Sequence, residues 1–369
     1  MSTSVPRIAE IRTVGLRRGS ADTPEKNTDT LLEVRTDSGL VGWGSSYTSK
    51  RLVDAAIALL RPHWQGEVAI EPERVSEKLH QQTYWTGRGG SVTHAISGID
   101  IALWDILGKH TGQPVGRLMG GRYKEKVKPY ASLIFAEPGE LRARLLAAKE
   151  RGFRAFKLGW GPFGRVSDAL DEEMIRTARE AIGPASDLMV DAGGSQQFWP
   201  RGVKWALKSA AMLADYGVVF FEEALPPDDL EGYVELRRGS KVLISAGEVL
   251  TRRQSFRPWL ERGALDVVQP DCTKVGGLSE ARRIGWMAQD HNVLLVGHGY
   301  NTGVGLAADL QLAAALPNTR WVEYITPSPM IEGILAEPFP IDGEGMIAIP
   351  DRPGLGVEIN PEGVAALAV

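Results

Sequence analysis

The sequence predicts an α/β protein: a TIM-like (β/α) barrel of seven or eight units, with an N-terminal α+β capping domain completed by the C-terminal segment. Short apolar runs alternate with amphipathic segments from about residue 125 to 325, a pattern that calls for parallel pairing. Eight such units in about 200 residues is barrel arithmetic. In most of these runs the apolar stretch ends in a single ionisable residue, where a barrel builds its active site.

The elements follow in order. IAEIRTVGLRR and TLLEVRTDSGLVGWG alternate apolar and polar residues, broken by the hairpin-turn signal Asp37-Ser38-Gly39. Helical periodicity runs from Leu52 to Leu60 and again from about Val92 to His110, where Ile96, Ile99, Ala102, Leu103 and Ile106 share a face. Residues 1–122 therefore read as the α+β domain, bounded by LMGGRYKEKVKPY. The barrel takes residues 123–325, with strands at KVKPYASL, AFKLG, DLMVDAG, VVFFEEA, VLISAGE, DVVQPD, VLLVGHG and RWVEYI. Helical segments between them include Glu140–Arg151, Asp168–Ala181 and Leu278–Asp290. The Gly- and Pro-rich residues 326–369 read as a return over the first domain.

Composition narrows the function. The chain has 369 residues, a net charge of −4 without a basic block, and no apolar run near the roughly 20 residues that span a bilayer. Nucleic-acid and membrane partners are not expected. No secretory pattern opens the chain, and its single cysteine, Cys272, suits a reducing cytoplasm. Cys272 reads as buried filler, and any metal must be held by Asp, Glu or His.

The charged strand ends are Lys157, Asp191, Glu222, Glu248, Asp271, His298 and Glu323. From Asp191 the steps are 31, 26, 23, 27 and 25 residues, one βα unit each. Singly, each has an ordinary reading: a helix cap for Asp191 or Glu248, a salt-bridge partner for Lys157, a core histidine for His298. Together they would place several unpaired charges in one pocket, at a cost of several kcal/mol each. A divalent cation resolves this. Asp191, Glu222 and Glu248 lie on consecutive strands, and an all-carboxylate set suits Mg²⁺ first and Mn²⁺ second. Glu223 faces away from Glu222 on a strand, so Glu222 is the inward residue. His298, oriented by Asp271, reads as a general base for a proton next to a substrate carboxylate. Glu323 is expected to stay protonated and donate to the developing enediolate.

With these residues in place, the chain is similar to the enolase superfamily, mandelate racemase-like subgroup, over nearly its whole length. The motifs are GIDIALWDILGKHTGQPVGRLMGG, MVDAGG, FFEEALPPDD, SAGEVL, QPDCTKVGG, VGHGYNTG and WVEYITPSP. The resemblance implies Mg²⁺ at Asp191, Glu222 and Glu248, an Asp271–His298 dyad, Glu323 as electrophilic helper and a homo-oligomer. It also implies two substrate-shaping loops in the capping domain, near Arg18–Lys26 and Trp85–Gly90. Many relatives carry Lys-x-Lys on the second barrel strand, but here the motif is Lys157-Leu158-Gly159, leaving one base and assigning Lys157 to the substrate carboxylate. Gly193 and Ala224 depart from the common Asn and Pro.

One base suits β-elimination. Within the subgroup this implies a Mg-dependent dehydratase that converts an aldonate or aldarate to a 2-keto-3-deoxy acid. Arg88, Lys50, Ser45, Ser46 and Tyr47 are available for substrate hydroxyls or a distal carboxylate. The alternatives are an isomerase (racemase, epimerase or lactone cycloisomerase) and, from another class, a barrel retained as a binding protein.

Overall fold

The computed structural model describes residues 5–17, 29–196 and 198–369. The N-terminal part is an antiparallel sheet of β1 (Ile8–Leu16), β2 (Asp29–Thr36) and β3 (Val41–Ser46), in that order, with the expected Asp37–Gly39 turn between β2 and β3. Against it lie α1 (Lys50–Trp64) and α3 (Gly90–Thr111); α2 (Pro72–Gln82) packs on both of these helices and the short α4 (Val115–Leu118) on α3. Periodicity marks α1 and α3. It misses α2, whose apolar anchors are few (Val75 and Leu79 among polar residues). α3 is buried almost all round because it packs on β3 on one side and on a barrel helix on the other.

The barrel strands are β4 (Lys126–Ile134), β5 (Ala155–Gly159), β6 (Asp187–Asp191), β7 (Val218–Glu222), β8 (Leu243–Ala246), β9 (Val267–Val268), β10 (Leu294–Leu295) and β11 (Trp321–Ile325). They pair in parallel from β10 through β4 to β11, and a parallel bridge between Leu295 and Thr319 closes the ring. Seven helices fill the connections: α5 (Pro138–Glu150), α6 (Asp168–Ile182), α7 (Val203–Asp215), α8 (Leu230–Gly239), α9 (Arg252–Glu261), α10 (Gly277–Asp290) and α11 (Gly303–Ala315). After β11 comes only the four-residue α12 (Pro329–Glu332). Then β12 (Ile347–Ala348) pairs antiparallel with β4, and α13 (Pro361–Leu367) ends in contact with β1. Arg17 donates its backbone N–H to Leu367 and Val369 donates to Gly15, so the chain's end is stitched to its first strand. Among the described residues no helix is long and apolar enough to cross a membrane.

The joint between α3 and α10 is polar and buried. Ser279 donates its backbone N–H (3.0 Å) and its hydroxyl (2.5 Å) to Asp100, while Trp104 Nε1 donates to Ser279 Oγ at 3.0 Å. Burial pushes the Asp100 carboxyl up to about 7, against the two hydrogen bonds from Ser279. Between its unperturbed value, 3.8, and about 7, the folded protein holds a proton that the unfolded chain has released. Stability contributed by this group is complete below that window and falls as pH rises through it. Asp100→Asn should therefore flatten the decline in urea midpoint between about pH 4 and pH 7; an equally steep decline would show that ionisation of Asp100 does not cause it.

Candidate active site

Strand alternation aims the charged side chains. Ala155, Met189, Phe220, Val296 and Trp321 belong to an apolar plug inside the barrel. Two residues further on each chain stand Lys157, Asp191, Glu222, His298 and Glu323. Successive side chains point to opposite faces of a strand, so the same parity carries these five into the interior, above the plug. Asp271 keeps this parity with Val267, and Cys272 takes the opposite one and lies buried among the helices. Glu248 follows Gly247, whose φ of 130° breaks the alternation. All seven charged residues are buried, and all but Glu222 and Asp271 line one cavity of about 830 Å³.

His298 Nδ1 donates to Asp271 Oδ2 at 2.7 Å. The other oxygen of Asp271 accepts from the backbone N–H of Thr273 (2.7 Å) and its hydroxyl (2.6 Å). Burial opposes ionisation of Asp271, yet the histidine, Lys274 and Thr273 outweigh it and hold the carboxyl at about 2. A fixed anion at Nδ1 sets the tautomer and leaves Nε2 as the basic atom. Nε2 faces Glu248 Oε2 at 3.1 Å. Thr273 and Lys274, which meet Asp271 from the turn after it, are not marked by a pattern of one charged residue per strand.

Lys157 Nζ sits between two carboxylates, 2.8 Å from Glu222 Oε2 and 2.9 Å from Glu323 Oε1. Burial disfavours its charge, but these neighbours raise its pKa well above the ordinary lysine value. It is a committed cation. The expectation that Glu323 stays protonated is corrected here. Besides Lys157, Glu323 accepts from Ser132 Oγ and from the Gly299 backbone N–H, each at 2.7 Å. Burial is outweighed by Lys157, His298 and those two donors, which hold the carboxyl at about 2. Glu323 therefore stands in this arrangement as an acceptor.

The remaining acidic groups are under-neutralised. Burial, then repulsion from Glu222, raises Asp191 well above the carboxylate range. Burial also raises Glu222, against the attraction of Lys157, and with Glu248 it pushes Glu223 to about 8. Glu222 Oε1 is buried without a hydrogen-bond partner. As the side chains stand, no three among the described residues are gathered to hold one ion. Glu222 Oε2 is held by Lys157 and Glu248 Oε2 by His298. The orphaned oxygen, the excess buried negative charge and the oxygen-only donor set nonetheless fit a hard divalent cation.

The capping domain contributes less than expected. Of the five polar residues named above, only Tyr47 lines the cavity. Its ring lies edge-on to His298, 6.5 Å between centroids, beneath the Lys274 ammonium at 4.2 Å. Ser45 and Ser46 are fully buried, Lys50 pairs with Asp54, and Arg88 lies over Tyr84. Of the two expected loops, Arg18–Lys26 lies outside the described residues. In Trp85–Gly90, Trp85 is wholly exposed and none of the six lines the cavity.

A model of the mandelate racemase / muconate lactonizing enzyme N-terminal domain matches residues 9–120, and one of the enolase C-terminal domain-like family matches residues 140–363. The chain is 34% identical to D-galactarolactone cycloisomerase of Agrobacterium fabrum, over 91% of this chain and 90% of that one. It is 31% identical to L-rhamnonate dehydratase of Saccharopolyspora erythraea, over 90% and 83%. The crystal structure of 3,6-anhydro-D-galactonate cycloisomerase from Zobellia galactanivorans superposes with a TM-score of 0.89, at 28% identity, over 98% of this chain and 99% of that chain.

Gly159, where a second lysine is absent, is not an open position. A Cβ there would fall 2.9 Å from Asp191 Oδ2 and 3.2 Å from Asp191 Cβ. Gly159→Ala should therefore destabilise the protein by about 1–3 kcal/mol in urea denaturation. No change would mean that the Asp191 carboxylate swings freely out of the way.

Proposed function

Because the chain belongs to the mandelate racemase / muconate lactonizing enzyme family of the enolase superfamily, we propose that it is an acid-sugar dehydratase acting by a single base. The observation that carries this reading is the 2.7 Å His298–Asp271 contact, set across a cavity from a glycine at position 159. His298 Nε2 removes the proton α to the carboxylate of an aldonate or aldarate. The resulting imidazolium is stabilised by Asp271, then gives its proton to the departing β-hydroxyl, which leaves as water. The enol takes up a proton at the β-carbon and becomes the 2-keto-3-deoxy acid. Lys157 lies beside the substrate carboxylate and stabilises the charge gathering there, while Glu323 and Glu222 keep it protonated and in place.

Asp191, Glu222 and Glu248 would hold Mg²⁺, with Mn²⁺ as substitute. Bound there, the cation would neutralise the enediolate and so acidify the α-proton. A ring-opening isomerisation is the second reading, supported by the 34% identity to a lactone cycloisomerase. In a lactone whose ring oxygen lies β to a free carboxylate, the same proton removal breaks the ring C–O bond without loss of water.

Product mass from a panel of acid sugars and lactones, incubated with Mg²⁺ in deuterated water, separates the two. A product lighter by one water supports dehydration, and one unchanged except for deuterium supports isomerisation. His298→Asn should lower kcat by about 10²–10⁴-fold; an undiminished rate would remove His298 as the base. Exhaustive chelation should abolish turnover and added Mg²⁺ restore it, whereas full activity in chelator would remove the metal.

A further inference from the structure

Immediately after Gly159, Trp160 is held at φ 61°, a region that bulky L-residues rarely occupy. Its backbone N–H donates to the Asp191 carbonyl at 3.1 Å. Its indole lies flat over Gly193, where a Cβ would come within 3.0–3.2 Å of three ring atoms. Only glycine at 193 leaves room for the ring, so the departures at 159 and 193 surround one feature. Arg165 locks the support from the far side, donating to the Ala192 and Gly193 carbonyls at 3.0 and 3.1 Å and stacking on Trp199 at 4.6 Å. Trp160 is half-buried and lines the cavity that His298 also lines. β5, which leads into Trp160, stands across the closed barrel from β10, which leads into His298. Backbone strain maintained by this many contacts marks a residue held for a purpose.

We propose that Trp160 is the stereochemistry-determining wall of the site. Its indole packs on the face of the substrate's α- and β-carbons turned away from His298 and closes that side to water. Protons then leave and arrive only from the side of His298. This rests on the reading above, in which the α-proton passes to His298, the β C–O bond breaks with loss of water, and the enol exchanges its hydroxyl proton for one at the β-carbon. With the far side closed, that last proton arrives on one face inside the site. An aromatic plane makes no directed hydrogen bond through its face, and so tolerates different hydroxyl patterns on the opposite edge of the substrate.

Turnover in deuterated water, with the label at the carbon next to the ketone located by NMR, tests the proposal. The wild type should carry deuterium in one of the two diastereotopic positions. Trp160→Asn and Trp160→Gly both suit the left-handed backbone and remove the ring, so whichever folds as judged by circular dichroism should label both positions. Trp160→Phe restores a ring over Gly193 and should return the label to one. A wild type that labels both positions, or a ring-less variant that still labels one, overturns the wall while leaving the single-base reaction intact. Absence of a 2-keto acid from every acid sugar and lactone overturns the reaction, and the wall with it.

Discussion

The Lys157 ammonium is the contact on which the barrel mouth depends. Glu222 and Glu323 reach the same buried space from β7 and β11, and both carboxylates are almost wholly withdrawn from solvent. Two buried anions without a cation would repel one another and would each forfeit several kcal/mol of hydration. Lys157, entering from β5 between them, turns a repulsive pair into a bridged triad. Its own burial is tolerable only because both partners are charged. Truncating Lys157 would leave both carboxylates uncompensated, a loss of the kind that costs about 3–5 kcal/mol. Lys157 is thus tied to the integrity of the site before any substrate arrives.

Charge balance around that triad shapes the rest. Asp191, Glu222 and Glu223 are pushed up by burial and by one another, while Asp271 and Glu323 are pulled down by dedicated donors. The site therefore separates into a half that is satisfied by protein groups and a half that is short of positive charge. The satisfied half contains the histidine and its orienting carboxylate. The other half contains the oxygen donors proposed for a hard cation. An oriented imidazole beside oxygen donors proposed for a hard cation is an arrangement that suits enolate chemistry.

The capping domain joins the site through few but buried contacts. Tyr47 reaches His298 and sits under Lys274, and Asp100 and Trp104 of α3 are locked to Ser279 of α10. The C-terminal strand contacts with β1 then tie the far end of the chain back to the cap. Elsewhere on the same cavity, the β5–α6 and β6–α7 loops are latched by Arg165 and by Trp160 on Gly193. The cavity is thus walled by aromatic rings from two separate parts of the chain, with the charged floor between them.

Much of this was legible in the residues. The period-two alternation of each strand identifies Glu222 as inward, but Glu223, at φ 44°, leaves the strand conformation and its carboxyl still joins the acidic group beside Glu248. The spacing of one charged residue per βα unit announces the barrel and the order of its site. The three dimensions decided the pairings. No linear pattern says that Lys157 would lie between Glu222 and Glu323, or that Ser132 and the Gly299 N–H would hold Glu323 as an anion. Nor does it say that, of five polar capping residues, Tyr47 would be the one to line the cavity. Sequence periodicity determines the face of an element a side chain occupies, because that depends on local backbone geometry. Which side chains meet, and in what charge state, depends on where separate elements and the left-handed turns between them come to rest, and that distance is set only when the whole ring closes.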